Sequence, residues 1–535
     1  MSRALLRACP GLLLVAVPVI SLSAATRPAT GPSGPEPPRA YVDTTYVPPP
    51  GRIIAVYAGG DFQAALNAAR PGDVITLEAG ASFAGPYTLP NKSGAEWVTI
   101  RTSAPDGSLP PPGRRVDPSY AGVMPKLVAR SGRVIRAEPG AHHYRFIGIE
   151  IRPAAGVFLY NLVELGTTET VADQLPHHMI FDRCYLHGDP KRGTRRGIAM
   201  NSRDTAVTDS YLSDFKEVGA DSQAIAGWNG PGPFKIVNNY LEGAGENVMF
   251  GGGDPSIPDL VPSDIEVRRN HFSKPLAWKV GHPAYEGTPW TVKNLFELKN
   301  ARRVLVEGNL LEYNWVDAQN GFAILFTVRS GPAAPWTVVE DVAFTNNIVR
   351  HTASGTNILG RNDAFPSQQT KRILIKNNLF DDVGAPNWGG GGRLFQLLDG
   401  TADVVIEHNT AFQTGNIIIA EGAVHTGFVY RNNLTPHNAY GILGTGTAPG
   451  QPTLDTCFPG AVVAKNVMVG GSAAVYPGGN FFPPSLVDVG FVDYGRGDYR
   501  LSRSSRYKRA ATDGRDVGVD LDELFAAMAA PPGSR

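Results

Sequence analysis

The sequence has little charge, and the charge that it has is balanced. Only 18% of its 535 residues are charged, and 49 Lys and Arg residues stand against 49 Asp and Glu residues. A chain without net charge has no overall field to attract a polyanion. The sequence also shows no recognised nucleic-acid-binding module, so we do not expect nucleic acid as a partner.

Cysteine is scarce. Of three cysteines, only Cys184 and Cys457 lie beyond the N-terminal segment. Cys184 falls on an inward position of a repeat described below, so two buried free thiols are a better prediction than a disulfide. The spacing of the cysteines does not support a metal site either.

Long apolar runs are missing too. The run from Leu12 to Ile20 follows basic residues and is followed by small residues up to Ala25. It is too short for a stable membrane span, and its layout is that of a secretory signal peptide over residues 1–25. We therefore predict a protein that is secreted, either periplasmic or extracellular, and expect a monomer.

Glycine and proline are abundant, as is one repeated phrase. The chain has 61 glycines and 44 prolines, which suits many turns. The phrase is apolar–x–apolar–x–x–Asn, with another apolar residue two places later. Successive asparagines lie between 24 residues (Asn409 to Asn433) and 39 residues (Asn270 to Asn309) apart. The slot is filled by Asn239, Asn270, Asn309, Asn347, Asn378, Asn409, Asn433 and Asn466, and upstream by Cys184 and Ser210.

A period of this length indicates stacked structural units. The alternation puts every second side chain on one face, which a solenoid buries in its core. Asparagine tolerates left-handed backbone, so it suits a sharp bend directly after the strand. The sequence therefore predicts an all-β protein: a right-handed parallel β-helix with a structural Asn ladder.

The rest of the chain divides around this solenoid. Residues 26–50 are Pro-rich and predict a disordered or extended linker, with order beginning near Ile53. Asp61 is the predicted N-cap of a short helix that would cover the open N-terminal end of the core. We predict the β-helix domain over residues 51–504. Residues 505–535 form a C-terminal cap or tail with a short helix over 520–528.

A basic stretch interleaved with aromatic residues lies in the middle of the solenoid. Eight basic and two acidic residues fall between Arg268 and Arg303, where the repeats are longest. Sugar rings stack on aromatic faces, and basic groups pair with uronate carboxylates or sulfates. Basic residues on strands also fit a solvated outer face, and that alternative stays open. The predicted substrate-binding residues are Lys279, His282, Arg303, Trp290 and Trp315.

The segment from Asn294 to Arg329 resembles the polysaccharide lyase family of chondroitinase B and alginate lyases. More broadly, the ordered chain resembles secreted bacterial β-helix proteins of the pectate-lyase-like superfamily. The local resemblance covers about forty residues and implies that Lys299 is the base and Arg329 the proton donor or charge stabiliser. That family carries calcium-ligating acids before the Lys. Here the region offers Asn294 and Glu297, so calcium is a possible cofactor and no metal ligand is assigned.

The implied reaction is β-elimination on a uronate-containing polysaccharide. The C5 proton of a uronate is weakly acidic, so its carboxylate must be neutralised by a cation before a base removes the proton. Lys299 lies close in sequence to Arg302 and Arg303, and positive neighbours favour a neutral, basic amine.

Two alternatives remain open. A glycoside hydrolase would need two carboxylates that flank the scissile bond. Asp381-Asp382 is the adjacent acidic pair that follows a ladder asparagine, and Glu246, Asp254, Asp317 and Asp363 are single acids. A non-catalytic carbohydrate-binding or cell-surface solenoid would show an aromatic stripe without converging charged groups. The repeated pairs His142-His143 and His177-His178 favour packing over a zinc site.

Overall fold

The computed structural model describes residues 34–529, and these residues form three long parallel sheets. The predicted signal peptide, the first part of the predicted linker and residues 530–535 lie outside the described residues. We number the sheets in the order in which the chain visits them.

Sheet 1 has 14 strands, Ile53–Val56, Val74–Leu77, Val98–Thr102, His142–Ile147, His177–Asp182, Arg203–Thr208, Phe234–Val237, Ser263–Arg268, Ala301–Glu307, Val339–Thr345, Lys371–Lys376, Ala402–Glu407, Val429–Arg431 and Val462–Ala464. Sheet 2 has 13 strands, Ser82–Ala84, Lys126–Ala129, Glu150–Pro153, Tyr185–His187, Tyr211–Phe215, Tyr240–Gly243, His271–Ser273, Leu310–Asn314, Ile348–Thr352, Leu379–Val383, Thr410–Gln413, Leu434–Pro436 and Val467–Val469. Sheet 3 has 12 strands, Tyr87–Leu89, Ile135–Ala137, Asn161–Leu165, Arg196–Met200, Gln223–Gly227, Glu246–Phe250, Asn294–Leu298, Phe322–Thr327, Ser354–Leu359, Phe395–Leu398, Ile418–Glu421 and Ile442–Gly444.

Each complete coil of the solenoid gives one strand to each sheet, and the first and last coils are incomplete. Neighbouring strands pair in parallel, and the register stacks apolar residues: Val304 lies opposite Ile265 on one side and Val342 on the other. These three side chains are at most 1% exposed and belong to one continuous core inside the coils. Burial of this inner face is what holds the coils together. The predicted parallel β-helix is confirmed.

The repeated asparagines form a column where sheet 1 turns into sheet 2. Oδ1 of Asn309 accepts hydrogen bonds from the backbone N–H of Asn270 at 2.9 Å and from its Nδ2 at 3.1 Å. Nδ2 of Asn309 donates to the carbonyl of Val267 at 3.0 Å. The same pattern runs from Asn239 to Asn480, a residue outside the repeated phrase. These bonds satisfy buried polar groups on every coil that they join.

The left-handed bend falls one residue earlier than the sequence predicted. The residue before each column position has positive φ, for example 58° at Asn238, 53° at Arg269 and 57° at Asn346. Among the described residues, no column asparagine is in this region. The side chain of a column residue must point inward to bond neighbouring coils, so the preceding residue makes the turn.

A short helix lies at each end of the sheets, and a third packs against their side, where Nδ2 of Asn377 donates to the carbonyl of Asp520 at 3.1 Å. The α-helices are Phe62–Ala68, Gln451–Cys457 and Leu521–Ala529. Asp61 caps the first by accepting a hydrogen bond from the N–H of Ala64 at 2.9 Å, and Phe62 and Leu66 of this helix pack into the core. The strands Phe491–Asp493 and Asp498–Leu501 form an antiparallel pair. The 3₁₀ helices are Asp106–Ser108, Pro118–Val123, Ala172–Gln174, Leu276–Trp278, Ala473–Val475, Val487–Val489 and Tyr494–Arg496.

Residues 34–50 form an extended strap along the outer face of sheet 1. The N–H groups of Glu36 and Arg39 donate to Asp341 and Asp264 at 2.9 and 2.8 Å. Val42 is 7% exposed and packs on the sheet. The strap therefore runs back across many coils before the chain enters the solenoid.

The strap corrects the prediction that order begins near Ile53. The segment is extended, as its prolines indicate, but it has partners on the sheet. Besides the two aspartates, Nη2 of Arg145 donates to the carbonyl of Thr44 at 3.0 Å. Fixed partners of this kind offset the entropy that an extended linker otherwise keeps.

Cys184 and Cys457 are free thiols, as predicted, and burial raises the pKa of the Cys184 thiol to about 12. Cys457, however, is half-buried, whereas the sequence predicted that it is fully buried.

None of the helices within residues 34–529 has the length and apolar character needed to cross a lipid bilayer.

Candidate active site

Three cavities join along the outer face of sheet 3 and form one groove. Their volumes are about 310, 830 and 270 Å³. The first and second share Gly252 and Gly253, and the second and third share Asn320 and Phe322. The groove therefore crosses several coils along the axis of the solenoid.

Lys299 and Arg329 meet in the central cavity. Lys299 directly follows the strand Asn294–Leu298, and Arg329 follows the end of Phe322–Thr327 by two residues. Their coils are adjacent, because the N–H of Arg329 donates to the carbonyl of Lys299 at 3.0 Å. Both line the cavity, with the Lys299 side chain 17% exposed and that of Arg329 42% exposed.

A glycine on the preceding coil makes room for Lys299. Gly251 has φ 93°, and a Cβ placed on it would lie 2.9 Å from the Cβ of Lys299 and 2.5 Å from the backbone nitrogen of Asn300. A side chain at this position would clash with the backbone that carries Lys299. The position of the lysine thus depends on a glycine 48 residues earlier in the numbering.

Each of the two cations has an acidic partner. Nζ of Lys299 lies 3.4 Å from Oε1 of Glu297, which is 1% exposed. Arg329 pairs with Asp363, whose side chain is 60% exposed. Water screens the exposed pair of Arg329 and Asp363. The pair of Lys299 and Glu297 is largely buried against the sheet.

A second acid of the cavity holds its wall together. Asp254, in the loop after the strand Glu246–Phe250, accepts hydrogen bonds from the N–H groups of Gly331 at 2.6 Å and Ala333 at 3.2 Å. These bonds join two loops on adjacent sides of the cavity. Asp254 therefore orders the rim that includes Arg329.

Beneath Lys299 lies a group of buried oxygens from residues that are far apart in the sequence. Glu246 and Asn294 are opposite each other in register, and Nδ2 of Asn294 donates to Glu297 at 3.1 Å. Burial and the neighbouring Glu297 raise the pKa of Glu246 to about 7. Nζ of Lys293 lies 3.4 Å from Glu246 and 2.6 Å from Asp221. Lys293 thus bridges the buried carboxylate of Glu246 and the 41% exposed carboxylate of Asp221.

The oxygens of this group are a donor set that suits a hard cation. Oδ1 of Asn294 is buried without a hydrogen-bond partner. Carboxylate and amide oxygens are the ligands that Ca²⁺ prefers. Glu246, Asn294 and Glu297 therefore fit the calcium that the family resemblance implies. Aligning Glu246 with Asn294 as equivalent strand starts would have shown this set, but the intervening loop hides the register.

The predicted aromatic residues lie elsewhere. Trp290 and Trp315 are 7% and 4% exposed and pack with Trp278 and Val292 in a separate apolar cluster. The Nζ of Lys216 lies 5.1 Å from the Trp290 ring. Neither indole has a face open to a sugar, so the prediction that Trp290 and Trp315 bind substrate is corrected: they pack the long loops against the solenoid.

Three basic residues that were predicted to bind substrate lie outside the groove. Arg303 lies on sheet 1, 8% exposed, and its Nε donates to Asp264 at 2.7 Å. Its charge is neutralised on a different face, which corrects its assignment to substrate binding. Lys279 and His282 lie on the loop after His271–Ser273, where Nδ1 of His282 accepts from the N–H of Ala284 at 3.2 Å. Neither lines the central cavity.

No family model and no curated protein sequence matches the chain. Among solved structures, the catalytic unit of a thermostable GH87 α-1,3-glucanase from Streptomyces thermodiastaticus strain HF3-3 is 13% identical, with a TM-score of 0.51 over 83% of this chain and 72% of that chain. The PL6 family alginate lyase AlyGC is 13% identical, with a TM-score of 0.42 over 88% of this chain and 58% of that chain.

An alginate lyase from Paenibacillus sp. str. FPU-7 is 15% identical, with a TM-score of 0.31 over 74% of this chain and 97% of that chain. At these identities the similarity to the glucanase shows a common β-helix fold and does not extend to a substrate. The two alginate lyases are too distant in structure to support an argument.

Proposed function

We propose that the protein is a polysaccharide lyase that cleaves a uronate-containing polysaccharide by β-elimination in the groove of sheet 3. The observation that carries the proposal is the meeting of Lys299 and Arg329 in one cavity on adjacent coils. A groove that crosses several coils suits an extended polymer, because successive sugars would rest on successive coils. Secretion, which the predicted signal peptide implies, would bring the protein to such polymers.

Lys299 serves as the base and Arg329 as the charge stabiliser. The C5–H bond breaks and its proton passes to Nζ of Lys299. The electron pair forms the C4–C5 double bond while the C4–O bond breaks, and the leaving oxygen takes a proton from the Lys299 ammonium or from water. A guanidinium does not give up its proton in proteins, so Arg329 stabilises negative charge on the uronate carboxylate.

The two ion pairs fit this division of roles. A substrate carboxylate can replace the exposed Asp363 on Arg329 without uncovering a buried charge. Lys299 accepts a proton only as a neutral amine, so its contact with Glu297 has to open during the reaction. Arg329 thus binds the substrate first, and Lys299 acts on the bound sugar.

Calcium, if the protein uses it, would be held by Glu246, Asn294 and Glu297. It would supply positive charge near the uronate carboxylate. Because these oxygens lie beneath Lys299, a cation there would also compete with Lys299 for Glu297.

A glycoside hydrolase is the second candidate, because Asp254 and Glu297 line the same cavity. Both are already engaged, however: Asp254 accepts two backbone N–H groups, and Glu297 contacts Asn294 and Lys299. A general acid and its partner carboxylate need free oxygens at the bond. The cationic pair therefore supports the lyase better than the acids support a hydrolase.

The test is absorbance near 235 nm while the purified protein is incubated with alginate, pectate, chondroitin sulfate or dermatan sulfate, with Ca²⁺ or EDTA. A lyase produces an unsaturated uronate that absorbs there. Lys299→Ala should lower the rate at least ~100-fold, the usual loss on removal of a general base.

Lys371→Ala is a matched control. Lys371 also pairs with a glutamate, Glu340 at 3.3 Å, but on sheet 1. Its rate should stay within about twofold of the wild-type rate. No signal on any uronate polymer would contradict the lyase. Release of reducing ends from neutral glycans would then support the hydrolase, and binding without turnover would support a carbohydrate-binding solenoid.

A further inference from the structure

Four histidines form a two-by-two array on the outer face of sheet 1. His142 and His143 begin the strand His142–Ile147, and His177 and His178 begin the next, with His177 opposite His142 in register. Across the coils, the ring centroids of His142 and His177 are 4.7 Å apart and those of His143 and His178 are 4.3 Å apart. Within each coil the two Nδ1 atoms are 2.7 Å apart.

The backbone turns two consecutive rings to the same side. Successive residues of a strand normally point to opposite faces. His143 and His178 have φ values of 59° and 53°, the left-handed region, which redirects each second ring toward the first. The same slot recurs along sheet 1, at Asp264 and Arg303 for example, with charged residues in place of imidazoles.

The array concentrates nitrogen ligands. His143, His177 and His178 each offer a ligand atom, and these atoms all lie within 4.8 Å of one another. Zn–N bonds of ~2.0–2.1 Å place tetrahedral ligand nitrogens about 3.4 Å apart, so small ring rotations suffice. Imidazoles bind metal in the neutral form.

The surroundings offer a way in and a carboxylate. His178 and Asp204 line a cavity of about 470 Å³ next to the strap. Oδ2 of Asp204 lies 3.8 Å from Nδ1 of His178. Carboxylates beside metal-bound imidazoles commonly orient the ring. Arg203 lies opposite His177 in register, and Arg145 lines the same cavity as His178 but is paired with Asp182 at 3.0 Å. Both cations oppose the binding of a metal ion.

We propose that His143, His177 and His178 form a transition-metal site of the Zn²⁺ class. Repetition of the histidine pairs by itself favours packing; the convergence of three nitrogens beside an aspartate and a cavity is the added observation. The ion joins two neighbouring coils across sheet 1, so its role is structural. The site is independent of the groove on sheet 3 and of the proposed lyase activity.

The test uses the full chain without an affinity tag, freed of metal with EDTA and dialysed. Zn²⁺ and Co²⁺ are titrated by calorimetry, and Co²⁺ is also followed by its visible absorption, which reports nitrogen coordination in a near-tetrahedral site. We expect one equivalent of each ion to bind. His143→Gln, His177→Gln and His178→Gln should each weaken binding at least ~10-fold, the smallest loss expected even for a residue that only supports a ligand.

His271→Gln is the matched control. His271 is a half-buried imidazole with a carboxylate partner, Glu312 at 2.8 Å, but lies on sheet 2. It should bind Zn²⁺ as the wild type does. Absence of binding, or equal affinity in all four variants, would overturn the proposal and leave the array as stacked neutral rings. Three independent ligand variants keep the test decisive if one of them fails to fold.

Discussion

Sheets 1 and 3 belong to the same coils, yet their outer faces differ. On sheet 1, bases and acids of neighbouring coils neutralise each other, as Arg303 does with Asp264, and the strap covers the face. On sheet 3 the face is open, and Lys299 and Arg329 project into a groove of which the central cavity is about 830 Å³. The charges on the outer face of sheet 1 are paired and covered, whereas the outer face of sheet 3 is open to a ligand.

The difference shows that proximity in the sequence does not predict on which face of the solenoid a charged side chain lies. Lys299 and Arg303 are four residues apart and belong to the same basic stretch. Between them the chain turns from sheet 3 to sheet 1 at Asn300, so the two side chains leave the solenoid on different faces.

The largest contrast should come from arginines of equal exposure. Arg329→Ala should lower lyase turnover at least ~100-fold, because it removes the group that stabilises the developing charge. Arg431→Ala on sheet 1 removes an arginine that is 41% exposed, against 42% for Arg329, and is paired with Glu407. Its turnover should not change. Initial rates at 235 nm decide, and equal losses in both variants would erase the contrast.

Removal of a buried charge from sheet 1 should lower the stability of the fold and leave turnover unchanged. Asp182, on sheet 1, accepts hydrogen bonds from Arg145 at 3.0 Å and from Arg183 at 2.8 Å, and all three residues are buried. Asp182→Asn leaves buried guanidinium groups without their counter-charge, which costs about 3 kcal/mol of unfolding free energy. Denaturant titration measures it, and turnover per folded molecule should remain. A loss below about 1 kcal/mol would mean that this face is not held by its charges.

The strap can be loosened without touching the groove. Val42 is 7% exposed, whereas Val47 in the same segment is 73% exposed. Val42→Ser should cost about 1.5 kcal/mol, the lower end for a buried valine side chain, and should speed proteolysis within residues 34–50. Val47→Ser is the control and should change neither property. Equal proteolysis of the two variants would show that Val42 does not anchor the strap.

The smallest effect is expected at the rim of the groove. Asp363→Asn is the same chemical change as Asp182→Asn, but Asp363 is 60% exposed and its partner Arg329 is 42% exposed. The unfolding free energy should change by no more than about 0.5 kcal/mol, because water screens the pair. A loss comparable with that of Asp182→Asn would remove the distinction between a fixed face and an open one.

Much of the fold could be predicted from the sequence because it repeats. Alternating apolar residues such as Val304 and Val306 bury one face on every coil, and this pattern is local. The helix capped by Asp61 was equally local. The position of the bend was not: Asn238 and Asn239 are both asparagines, and only the hydrogen bonds to neighbouring coils show which of them turns the chain.

The site was less accessible to such reasoning. The approach of Lys299 and Arg329 follows from the repeat, since each lies just beyond a sheet 3 strand of adjacent coils. The burial of Trp290 and Trp315 depends on how long loops pack, which no period encodes. The neighbourhood of Glu246 depends on a register that is hidden by an intervening loop.

The strap has a consequence for the order in which the molecule is made. Glu36 and its partner Asp341 are 305 positions apart, and Arg39 and Asp264 are 225 apart. At ribosomal rates of ~5–20 residues per second, the first of these segments waits roughly 15 to 60 s for its last docking position to exist. A segment that emerges early thus finishes late. The strap can attach fully only after the coils up to Asp341 have been synthesised and stacked in register. In a chain that stops short of Asp341, the strap stays partly unattached and is open to proteases.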